Sequence, residues 1–128
     1  MCELDLQALE RLASDTGDLA FVRRLIDTCT AMLSGRVDRL VDALVASDVE
    51  TALDAVLSLR VSSTMVGLTD FVEHARDIEA DVRRGDLPGA RATGLTLPSS
   101  VDAAVETVLE GADRVLGPAP QLATQRAS

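Results

Sequence analysis

Apolar side chains return at steps of three and four residues along almost the whole chain, and no stretch alternates apolar and polar residues for long. A strand turns successive side chains to opposite faces, so a sheet needs period two; a period near 3.6 belongs to an α-helix with one buried face. Aromatic residues make up 2% of the 128 residues, and Trp and Tyr are absent. A core must therefore be built from Leu, Val, Ala and Ile, the usual filling of helical bundles. The expected class is all-α, and the length suits one domain.

The punctuation divides the pattern. Leu6, Leu9 and Leu12 mark a short helix from Leu6 to Ala13, followed by a turn, Asp15-Thr16-Gly17-Asp18, that ends in an N-cap. A long helix from Leu19 to about Ala46 carries Val22, Leu25, Ile26, Cys29, Met32, Leu33, Val37, Leu40, Val41 and Leu44, with Gly35 as a point where it could bend. Ser47-Asp48-Val49-Glu50 has capping-box spacing and opens a third helix that ends at Val66, before Gly67. A fourth begins at Leu68 or Thr69 and stops at Gly85. Pro88, Gly89, Gly94 and Pro98 make Gly85 to Leu97 a loop, with at most a turn of helix at Ala90 to Ala92. A last helix from about Ser99 closes at Gly117. The expected organisation is an antiparallel four-helix bundle with an extra short N-terminal helix over residues 1–117, then a disordered tail over 118–128.

Charge and cysteine usage narrow the function. A formal charge of -9, with 21 acidic against 12 basic residues, repels nucleic acid and anionic lipid alike. No window has the length of a membrane span, and the N-terminus has no basic segment leading into an apolar run, so the simplest location is the cytoplasm. Cys2 and Cys29 are too few for a disulfide framework, no Cys/His cluster has zinc spacing, and Cys29 on its apolar stripe reads as core. No cofactor motif is present: the glycines from Gly85 to Gly94 are not followed by Lys-Ser/Thr.

The third helix is the informative one. With Val49, Ala52, Leu53, Val56, Leu59, Ser63 and Val66 turned inward, Leu57, Val61 and Met65 form an i, i+4, i+8 apolar row on the outward side, beside Asp54 and Ser58. Together with the residues after it, this segment resembles the signature of the histidine-containing phosphotransfer (HPt) domain family: an Ala-rich helix with His-x-Leu-Lys-Gly-Ser-Ser, then an apolar residue and Gly leading into a second helix. Leu59, Ser62, Ser63, Val66 and Gly67 occupy matching places, Arg60 stands for the Lys, and Phe71, Ala75, Ile78, Glu79 and Arg84-Gly85 continue the likeness. It spans Leu4 to Gly85 well and the last helix only generically.

Two departures fall on the family's functional positions. Leu57 stands at the phospho-accepting His, and Val61 at the Gly that lets a partner approach it. Leu has no nucleophilic nitrogen, so the resemblance implies an HPt-like domain of phosphorelay lineage that docks without accepting a phosphoryl group and is not an enzyme. Its docking face would comprise Asp54, Leu57, Ser58, Arg60, Val61, Thr64 and Met65, and its partner would be a response-regulator receiver domain or a histidine kinase. A second copy of the chain is the alternative occupant of that face, in a structural bundle unrelated to phosphorelay. His74, the only histidine, is the alternative phospho-acceptor; without a second His it makes no metal site.

Overall fold

The computed structural model describes residues 3–117, all helical apart from turns and one isolated bridge. Its α-helices are α1 (Leu6–Thr16), α2 (Leu19–Val45), α3 (Val49–Val66), α4 (Thr69–Arg83), α5 (Leu87–Gly94) and α6 (Val101–Leu116), with a 3-10 turn at Pro98–Ser100. None is long and apolar enough to cross a membrane. Residues 118–128, for which a tail is expected, lie outside the described residues.

The corners explain the packing. Four of them place one residue in the left-handed region and the next at the N-cap of the following helix: Gly17 then Asp18, Ser47 then Asp48, Gly67 then Leu68, Gly85 then Asp86. At the last three the backbone N–H of the capping residue donates to a carbonyl five residues back, at Ala43, Ser63 and Asp81. One residue therefore closes a helix and opens the next. The capping box expected at Ser47 is accordingly displaced by one residue. Ser47 has φ 57 because it terminates α2, whereas an N-cap needs an extended backbone, so the Asp48 carboxylate accepts from Thr51 N–H instead.

The expected loop after α4 holds α5. Its breakers have helical roles: Pro88 sits in the first turn, where a missing N–H costs nothing, and Asp86 caps by accepting from Gly89 N–H at 3.0 Å. A Cβ at Gly89 would strike the Asp86 carboxylate, and one at Gly94 would strike the Leu44 side chain, so these glycines are packing glycines. Arg91 then crosses to the end of α2, donating to Leu44 O at 2.9 Å and to Ser47 Oγ at 2.8 Å.

α3 packs between α2 and α4, α5 lies against α2 and α4, and α6 against α1 and α2. Leu9, Val22, Ile26, Val37, Leu40, Val56, Leu59, Phe71, Ile78, Leu97 and Val108 form one continuous core. Gly35 does not interrupt α2, and a Cβ built there meets nothing within 4 Å. Its place costs about 1 kcal/mol of helix propensity relative to Ala with no packing return inside this chain.

Candidate functional site

α3 is fixed at both ends. Asp48 caps its start, and Gly67, at φ 84, closes its end. The Gly67 carbonyl accepts from Asp5 N–H at 2.7 Å, beside a Leu4–Leu68 bridge, so the segment before α1 is tied to the α3–α4 corner. A Cβ at Gly67 would lie well inside van der Waals contact with the Asp5 backbone.

The buried face of α3 is wider than the sequence implied. Ala52, Ala55, Val56, Leu59, Ser62, Ser63 and Val66 are buried, Leu53 is half-buried, and Val49, expected inside, is 41% exposed at the first turn. The outward row is graded. Val61 is 65% exposed, while Leu57 and Met65 are half-buried because they lean over a groove between α3 and α2. The groove encloses about 510 Å³; its apolar lining is Leu25, Cys29 and Met32 on one bank and Leu57, Val61 and Met65 on the other. Thr28, Arg36, Asp54, Ser58 and Ser62 line it too.

The polar members are largely engaged. Asp54 pairs with Arg39 of α2 at 2.7 Å, an exposed pair of small energetic weight. Arg60 donates at 2.9 Å to Glu79 of α4, and Glu79 also takes Arg83 at 3.0 Å. Its guanidinium thus spans two helices. Thr64 is exposed and its hydroxyl donates to Arg60 O at 2.7 Å. Arg36 Nε is buried without a partner among the described residues. Burial pushes the Cys29 thiol above its ordinary range, with the Arg36 charge opposing, so Cys29 stays a protonated core thiol.

His74 does not line this groove. It is half-buried on α4, with Nδ1 buried and, among the described residues, without a hydrogen-bond partner. Among the described residues no group of three His, Cys, Asp or Glu side chains could hold a metal ion. The α2 bank was missed by reading α3 alone. Its signal was present in the α2 stripe, where Leu25, Cys29 and Met32 flank the Val22, Ile26 and Leu33 line and Arg36 follows one turn later.

An open groove with a mainly apolar lining is suited to taking apolar side chains of another molecule. No protein-family model, no curated protein and no solved structure matches the chain.

Proposed function

We propose that this chain is a divergent HPt-like four-helix bundle of phosphorelay lineage, with an added short N-terminal helix, that works in the cytoplasm as a docking module and accepts no phosphoryl group. What supports this reading is the α3 face: Leu57 and Val61, which the sequence resemblance sets at the family's His and Gly, both line an apolar groove. Leu57 cannot accept a phosphoryl group, while an exposed apolar row suits a protein contact. A receiver domain or a histidine kinase is the proposed partner.

Two measurements test it together. The immobilised chain is titrated with isolated receiver domains of its own organism, and the same chain is incubated with radiolabelled acetyl phosphate and phospho-receiver. The reading expects saturable receiver binding that Val61→Glu weakens, and no acid-labile label on the chain. Label that disappears in His74→Ala would replace docking by phosphotransfer, and absence of binding to every receiver and kinase would remove the lineage.

A further inference from the structure

The solvent face of α2 carries a second pattern, distinct from its core stripe. Phe21, Arg24, Thr28, Ala31, Gly35, Asp38, Asp42 and Val45 follow one another at alternating steps of three and four, the spacing of a coiled-coil seam. All eight are exposed, including two large apolar residues, Phe21 at 45% and Val45 at 60%. Among the described residues no ion pair engages Arg24, Asp38 or Asp42, although six other arginines of the chain are paired.

The pattern is palindromic about Leu33. Equidistant from that level stand Ala31 and Gly35, then Thr28 and Asp38, then Arg24 and Asp42, then Phe21 and Val45. An antiparallel pair of identical helices brings such positions face to face, each layer joining a residue to its equidistant mate on the other copy. Here every layer is chemically matched. The centre joins the two smallest side chains, the next layer a hydroxyl donor and a carboxylate, the next an arginine and an aspartate, and the ends an aromatic and a branched aliphatic residue. Because the axis is two-fold, each layer occurs twice.

We propose that α2 is a self-association seam: two copies of this chain pack antiparallel through it, with Arg24 of each paired to Asp42 of the other and Gly35 facing Ala31 at the crossing. The seam explains two features left over by the fold. It gives a solvent-facing glycine in the middle of a long helix a function, since removing a side chain lets two helix axes approach to the short end of the usual separation of about 8–10 Å. It also gives the unpaired Arg24 a partner in a molecule whose acidic excess would otherwise hold copies apart. From Phe21 to Val45 the contact runs roughly 36 Å at 1.5 Å per residue, enough for six or more turns of matched packing. The two-fold axis leaves both α3 helices on one side of the dimer. The seam adjoins the α3 groove at Thr28, which belongs to both, but none of its pairings uses a residue of α3.

The test is a charge swap read by sedimentation equilibrium of the full chain, with circular dichroism confirming that each variant is folded. Wild type should associate to a dimer. Arg24→Glu makes both ion pairs repulsive and should raise the dissociation constant roughly tenfold or more, and Arg24→Glu combined with Asp42→Arg should restore association. Gly35→Leu should fold, because a Cβ there meets nothing, and should be monomeric because the axes can no longer approach. A wild type that stays monomeric up to millimolar concentration overturns the proposal. So does a dimer indifferent to Arg24→Glu but broken by Val61→Glu, which would move the interface to α3, and so does failure of the double variant to restore what the single one lost. Receiver binding has no bearing on any of these outcomes.

Discussion

If the proposed lineage is right, replacing Leu57 by His and Val61 by Gly in one chain should rebuild an acceptor and its access, and the structure sets the cost. Leu57 is half-buried, so exchanging it for a polar ring forfeits about half the value of a fully buried leucine, roughly 1 kcal/mol. Val61 is 65% exposed at the edge of the groove. Its replacement by Gly costs the difference between two poor helix formers, about 0.5 kcal/mol. The sum, about 1.5 kcal/mol, is small against the roughly 5–15 kcal/mol by which domains are held folded. The double variant should therefore fold, with a Tm lower by roughly 6 °C at about 4 °C per kcal/mol. Circular dichroism at 222 nm on wild type, both single variants and the double variant measures this. Incubation with a radiolabelled phospho-receiver, followed by acid and base treatment, then asks whether His at position 57 takes acid-labile label that wild type does not. A double variant unfolded at room temperature would show that the α3 row belongs to the core, and the placement of the groove would be wrong. A folded double variant that takes no label from any receiver would refute the claim that Leu57 stands in an acceptor's place.

Two further outcomes follow from the cap geometry. Gly67→Ala should destabilise by several kcal/mol, since it adds left-handed strain of about 1–2 kcal/mol to a backbone clash with Asp5; urea titration should show a large drop in midpoint, and a midpoint within error of wild type would refute the account. Hydrogen bonding by Thr51 holds the Asp48 carboxyl below its ordinary range, so this cap stabilises above the unfolded-state pKa and is lost as pH falls through the folded-state value. In Asp48→Asn that increment of acid sensitivity should disappear from a pH series of melting temperatures, and an unchanged pH profile would count against the cap.

How much of this was readable depends on the residue. Gly17-Asp18 and Gly67 announced their corners because glycine takes the left-handed region without steric cost, and the structure turns at both, although α1 runs to Thr16 where the sequence ends it at Ala13. Ser47 carries no such mark, since a serine before an acidic residue is better known as an N-cap than as a helix terminator, and the expected cap fell one residue early. α5 was hidden for the same kind of reason. Gly89 and Gly94 are breakers by propensity, and only contacts with Asp86 and Leu44, invisible to a local reading, turn them into packing residues. On α3 the period correctly set Val61 outside and Leu59 inside. It could not tell that Leu57 and Met65 would be half covered by α2, because one helix's pattern does not say how close its neighbour stands.

The corners have a consequence for where this chain can be cut or extended. At Ser47-Asp48, Gly67-Leu68 and Gly85-Asp86 the link between helices is only two or three residues long, and both of the named residues spend their backbone N–H groups on the preceding helix. An inserted residue would break a terminator and a cap at once and rotate the next helix off the core. The stretch from Leu95 to Ser100 is different: Leu97 alone anchors it in the core, while Leu95, Thr96, Pro98 and Ser99 are exposed. That stretch is where new termini, a fluorescent insert or a binding loop can enter with the helix corners left intact.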